Sequence, residues 1–412
     1  MKTLLPLFLT AISSIGVSLG SPAVSAQTLT TVLDNGASSN RVDMVFVGDG
    51  YQASEIETTY ASDVTATTNF FLNSGVNPLP RYKNFFNVHR VNVISNESGA
   101  DDPNGGTFVD TALDATYNTG GTDRCLYFNT SKANAAVNSA LSGTGIDVDM
   151  RLGAVNSAKY GGCGGQWAVW SASNSSALNV AVHEVGHSFA GLADEYFYDG
   201  GTYTGSEPNQ VNVTANPNSG KWDRWLGYDD PDSNIGVIDY YEGGRYNEFG
   251  IWRPSENSMM RALGRPFDAI SRERFIEEIY EEVTPLDDFL AAGTYVSGET
   301  LWVETVDASV INVDWRVDGV SVGLLGETVD IDSLGLAAGA YTVEAFAYDA
   351  ILDHSNSGNS LDWWRLADTS LLEQSASWTI NVSAVPEPSS LVGLSLLAIG
   401  ISTRRRRIQT SA

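Results

Sequence analysis

The segment His183-Glu184-Val185-Gly186-His187 constrains this chain more than any other. Residues four apart share one face of a helix, so a helical reading brings both imidazoles to one point and leaves Glu184 beside it. Two converging neutral imidazoles suit a zinc ion, and the neighbouring carboxylate can take a proton from water polarised there. The chain must therefore build a helix with one face on a core and the other on an accessible site. The plain alternative is a pair of core histidines satisfied by hydrogen bonds. The setting favours the metal. The helix reads as apolar from Ala177 to about Ala190, the run Gly161-Gly162-Cys163-Gly164-Gly165 lies shortly before it, and the remaining His are His89 and His354.

A third protein ligand must come from beyond the helix. The chain continues Ser188-Phe189-Ala190-Gly191-Leu192-Ala193-Asp194-Glu195-Tyr196. In metzincins the helix breaks at a glycine and the third ligand follows three residues later, a step that Gly191 and Asp194 keep. Gly191 lies four residues after His187, where three is usual. Asp194 is favoured over Glu195, with a downstream Glu242 or Glu248 as a further option. Without a metal, Asp194 reads as a helix cap and Glu195 as an ion-pair partner. Ser258-Met259-Met260, preceded by Pro254 and Asn257, reads as a turn that sets Met260 beneath the metal; ordinary core filling is the alternative.

The length of 412 residues points to two domains. Val42 to Gly48, Asn87 to Ile94 and Gln166 to Ser171 read as strands, the last as the sheet edge that an extended substrate would pair with. A helix opens near Ser54-Glu55, and another runs from Phe267 to Glu282. From about Gly293 the texture changes to short Val/Thr/Tyr-rich runs separated by Gly, Asp and Ser, the pattern of a β-sandwich. The expected fold is an α+β (α/β-type) metzincin-like catalytic domain over 27–286, followed by an all-β immunoglobulin-like sandwich over 287–384.

Both ends read as sorting signals. Residues 1–26 carry Lys2, an apolar run and Val24-Ser25-Ala26, the form of a secretory signal peptide. Over 385–412, Val385-Pro386-Glu387-Pro388 precedes an apolar stretch, Leu391 to Ile401, and then Arg404 to Arg407; this resembles the PEP-CTERM tail that exosortase systems of Gram-negative bacteria recognise. A simple membrane anchor is the other reading. A secreted or cell-surface protein is expected, with Cys125 and Cys163 bridged. A net charge of −27 opposes nucleic acid as a partner and favours a soluble monomer.

Taken together, these residues resemble the IgA peptidase family of secreted bacterial metallopeptidases. The likeness runs from Asn40-Arg41-Val42-Asp43 and Gly48-Asp49-Gly50-Tyr51 through Phe86 to Val91 and the histidine segment. It continues to Glu242-Gly243-Gly244, Tyr246, Gly250 to Pro254 and Ser258-Met259-Met260-Arg261. It implies peptide hydrolysis with one zinc ion on His183, His187 and Asp194, Glu184 as general base, and a protein or peptide substrate. Tyr246 is a candidate oxyanion partner, or an ordinary buried aromatic. Asp101-Asp102-Pro103-Asn104-Gly105-Gly106 is a candidate calcium loop, or a plain turn. The family's name is not taken as the substrate. The rivals are a surface or matrix binding protein with a vestigial zinc site, which the presence of Glu184 opposes, and a zinc hydrolase acting on glycoproteins or cell-wall peptides.

Overall fold

Every side chain of the strand Val42–Asp49 is buried, the mark of a parallel strand covered on both faces. The computed structural model describes residues 27–230, 235–353 and 361–383; the segments read as signal peptide and sorting tail lie outside the described residues. Strands β1 (Thr28–Leu33), β2 (Val42–Asp49), β3 (Phe86–Asn92), β4 (Met150–Val155), β5 (Gly162–Cys163) and β6 (Ala168–Ser171) form one sheet in the order β1-β3-β2-β4-β6-β5. β3, β2, β4 and β6 run parallel, and β1 and β5 lie antiparallel at the two edges. Helices α1 (Ala61–Asn69), α2 (Thr130–Leu141), α3 (Ala177–Ser188) and α4 (Ala269–Glu282) cover it. Alternation along β2 divides the core. Met44 and Phe46 pack with Val64 of α1, Val182 of α3 and Phe275 of α4, while Val45 and Val47 pack with Val137 of α2.

The strand expected at the edge is interior. Ala168–Ser171 is buried and paired on both sides, and the edge is the two-residue β5. This edge can lie against α3 because glycines flank Cys163: a Cβ at Gly162 would stand 2.4 Å from Val180, and one at Gly164 2.5 Å from the Cβ of His187. The Cys125–Cys163 disulfide ties this edge to the preceding loop across a separation of 38 residues. Replacing both cysteines by serine should lower stability by roughly 2–4 kcal/mol. A urea titration checks this, and an unchanged midpoint would show that the bridge adds nothing.

Asp149, at the foot of β4, accepts a hydrogen bond from the Asp43 N–H at 2.8 Å. Burial pushes its carboxyl up to about 6; that hydrogen bond opposes the shift, and Glu282, Asp43 and Asp147 add to it. A folded-state value above the unfolded one means that the native state holds a proton already released by the unfolded chain. Protonation therefore stabilises fully below about pH 4, and that contribution is lost as pH rises through about 6. Asp149→Asn keeps the acceptor, so it should be more stable than the wild type at pH 7, with the gap closing below pH 4. Denaturant titrations at the two pH values test this; a gap independent of pH would refute it.

After α4 the described chain is strands and short 3-10 turns. β10 (Leu286–Phe289), β11 (Thr294–Val296), β12 (Thr300–Thr305), β13 (Ile311–Val317), β14 (Val320–Leu325), β15 (Thr328–Asp330), β16 (Gly339–Asp349) and β17 (Glu373–Val382) make two sheets, β10-β12-β15 and β11-β17-β16-β13-β14. Leu301 and Val303 from the first and Trp315, Val343 and Trp378 from the second share one apolar cluster. The cluster continues into the first half of the chain. Buried Asp349 at the end of β16 accepts from Arg81 (2.6 Å), Tyr82 (2.7 Å) and Tyr280 (2.8 Å), and Arg41 grips Asp287 through both Nη atoms at 2.6 Å.

Candidate active site

Helix α3 packs on β4, β5 and β6 and carries the histidine segment. His183 Nδ1 lies 3.0 Å from the Met259 carbonyl and His187 Nδ1 2.8 Å from the Leu192 carbonyl. Each Nδ1–H is thereby committed to a carbonyl, which leaves each Nε2 with its lone pair forward. The two Nε2 atoms are 3.2 Å apart, and Asp194 Oδ1 is 3.1 Å from the first and 3.3 Å from the second. Gly186 has a steric reason: a Cβ there would fall 2.6 Å from Met260 Sδ, so the buried Met260 packs directly beneath the two histidines' helix turn.

The extra residue before Gly191 is absorbed at the helix end. Phe189 N still bonds the Val185 carbonyl, Gly191 takes a left-handed φ of +62°, and Leu192 N reaches back to the Gly186 carbonyl at 2.9 Å. This wider closing turn points the chain across the mouth of α3. Asn212, fully buried, then clamps Ala193 at both its N–H and its carbonyl (2.9 Å each), while Arg245 N bonds the Asp194 carbonyl and Glu195 N the Met260 carbonyl. Asp194 is thus turned to the histidines, and Glu195 away from them. The Glu195 carboxyl group accepts from Asn212 at 2.9 Å and from Ser258 Oγ. The other two acids are distant options that the fold does not bring in. β8 (Tyr241–Gly244) and β9 (Tyr246–Arg253) pair as a hairpin, with β7 (Phe197–Thr202) alongside β9, and in that sheet Glu242 and Glu248 accept from the backbone N–H groups of Gly250 and Gly200. Among the described residues, His183, His187 and Asp194 form the one group of side chains placed to share a metal ion.

The model of the IgA peptidase M64 family matches residues 30–234, the segment that holds the six-stranded sheet, α3 and Asp194. The chain belongs to the IgA peptidase M64 family. Membership implies a metallopeptidase acting on protein or peptide. No curated protein matches the chain.

In this M64 chain the donors meet a geometric test for zinc. Tetrahedral bonds of about 2.0–2.1 Å set donor atoms about 3.3 Å apart, and the three separations here are 3.1, 3.2 and 3.3 Å. The charges agree. Burial would raise the Asp194 carboxyl, but its bonds with His183 and His187 hold it far below the usual carboxylate range. Burial opposes charge on His187, yet Asp194 and Glu184 lift it to about 9, so the trio attracts positive charge that a divalent cation can supply. Glu184 is 6% exposed, and burial raises its carboxyl against the opposing pull of His183 and His187.

The M64 site opens into a cleft of about 920 Å³ lined by the histidines, Glu184, Asp194, the glycines at and after β5, Arg124 and Tyr246. Tyr246 is not a buried aromatic: it is 49% exposed, and its hydroxyl donates to Asp194 Oδ2. It sits at φ +69° after Arg245 at φ +42°, a left-handed pair without glycine, of the strained kind that clusters at functional sites. The segment weighed for calcium forms a turn whose acids are engaged. Lys159 Nζ lies 2.9 Å from Asp102 and 3.1 Å from Asp123, and Asp101 accepts from Val109 N. Asn212 escaped the sequence reading, because a lone Asn in a stretch without periodicity carries no signal.

Proposed function

We propose that this chain is an exported zinc metallopeptidase of metzincin-like fold that hydrolyses peptide bonds. The observation that carries the reading is the convergence of His183, His187 and Asp194 beside the buried Glu184 in an open cleft. The two imidazole Nε2 atoms and Asp194 Oδ1 would hold the ion. When bound, zinc polarises a substrate carbonyl and makes water acidic enough to react near neutral pH. Glu184 accepts the proton of the attacking water and passes it to the leaving amine. Tyr246 stands where its hydroxyl can turn from Asp194 to a carbonyl oxygen that gathers negative charge. The Met259 and Leu192 carbonyls keep the imidazoles in the tautomer the ion requires. The packing of Met260 against Gly186 and the left-handed turn at Gly191 support the metzincin-like reading.

Support for export lies in the sequence of residues 1–26 and in the paired cysteines; the Pro-Glu-Pro tail suggests sorting at the cell surface by exosortase-type machinery. The strands after Leu286 are proposed as an immunoglobulin-like sandwich. A binding protein with a vestigial metal site is the weaker reading, because a site that only holds a metal needs no buried carboxylate beside its ligands. Metal analysis of the purified protein, followed by a peptide-library digest with and without chelator, tests the proposal. Bound zinc and chelator-sensitive cleavage are expected; a protein that retains zinc and cleaves no peptide would favour the binding reading.

A further inference from the structure

The cleft carries a cation that the proposed hydrolysis does not use. Elsewhere the chain's cations are commonly paired with acids: Arg41 with Asp287, Arg81 with Asp349, Lys159 with Asp102 and Asp123. Arg124 is exposed on the cleft wall, and its partners are phenols. Its Nη2 donates to Tyr196 Oη at 2.8 Å, both Nη atoms lie 3.4 Å from Tyr198 Oη, and the guanidinium stands 5.4 Å from the Tyr196 ring centroid. A neutral phenol accepts hydrogen bonds without cancelling charge. Arg261, the other arginine on this wall, is turned to the Glu256 carbonyl and the Phe197 ring.

Arg124 is held in place from two sides. Its carbonyl accepts from Gly162 N at 3.1 Å, and the next residue, Cys125, is bridged to Cys163, so its backbone is fixed to edge strand β5. Its side chain lies across Tyr196, two residues beyond Asp194, and its charge is among those that act on Glu184. The guanidinium therefore spans from the edge strand towards the metal-binding segment. A protein of net charge −27 repels anionic peptides at a distance, and an unneutralised local cation offsets that repulsion at one point of the cleft.

We propose that Arg124 forms a substrate subsite for a carboxylate close to the scissile bond. The inference rests on the peptidase reading and names the substrate class it selects: peptides with an Asp or Glu side chain, or with their free C-terminal carboxylate, within reach of the guanidinium fork. Phenol hydrogen bonds leave donors of that fork for the ligand.

The test uses the full protein with its metal and peptides that differ only in Glu, Gln or Lys beside the cleaved bond, each with a free or amidated C-terminus. The wild type should favour the carboxylate peptide by about tenfold in kcat/KM. Arg124→Ala should remove the preference, Arg124→Lys should keep part of it, and Arg124→Glu should reverse it towards Lys, which a merely structural role would not do. Preference that follows the side chain or the terminus identifies the source of the carboxylate. Calorimetric binding of the same peptides to the Glu184→Gln protein gives the ranking without turnover. A wild type indifferent to both carboxylates, or a preference that survives in Arg124→Ala, overturns the subsite. Preferential binding with no cleavage by the wild type would overturn the peptidase reading and leave the subsite standing.

Discussion

Glu184→Gln should lose two or more orders of magnitude in peptide hydrolysis while keeping its metal. The Glu184 side chain sits beside the three converging donors and is not one of them, so an isosteric amide leaves the donor set intact. What it removes is the proton acceptor. Burial raises the carboxyl of Glu184 from its ordinary value, and the nearby imidazoles limit that rise. A general base works best when its pKa lies near the operating pH, and an amide has no such state. Metal content by elemental analysis and rates on a cleaved peptide decide the matter together. Unchanged turnover would sink the role of base, and loss of metal would make Glu184 a ligand.

The elements legible in the sequence are those whose pattern the core enforces. β2 reads as an apolar run because both its faces are covered, and α4 reads as a helix because its buried face and the Asp268 cap, which accepts from Ser271 N at 2.9 Å, agree. The edge strand did not read as one. β5 has two residues, one of them glycine, and it is a strand through pairing with β6 and the bridge at Cys163, neither of which leaves a periodic signal. Propensity therefore pointed to the neighbouring run with two Trp, which lies one strand further in. At the site, the histidine spacing placed two donors through helical geometry alone. The third donor depended on how a helix end accommodates one extra residue. That is settled by the Leu192–Gly186 hydrogen bond and by the clamp from Asn212, eighteen residues beyond Asp194 and on no common element with it.

Asp194→Ala should reduce bound zinc to background after dialysis, and Glu195→Gln should retain it. The two acids are adjacent, but their surroundings differ in the property a ligand needs, which is charge. Asp194 is held ionised by hydrogen bonds with His183 and His187 in spite of its burial. Glu195 is fully buried, and burial, with repulsion from Asp268, pushes its carboxyl well above the usual range in spite of bonds from Ser258 and Asn212. A carboxyl kept neutral in this way resembles an amide in charge and shape, so glutamine can stand in for it. Glu195→Ala is a harsher change. It leaves Ser258 and Asn212 without their acceptor, at a cost of about 1–3 kcal/mol in stability. It also loosens the support of the Met259 carbonyl that orients His183, which should weaken zinc by about 10- to 100-fold. Zinc stoichiometry and competition titration on all three variants separate these outcomes. Metal kept by Asp194→Ala and lost by Glu195→Gln would reverse the assignment, because only a charged ligand is sensitive to loss of its charge at constant shape.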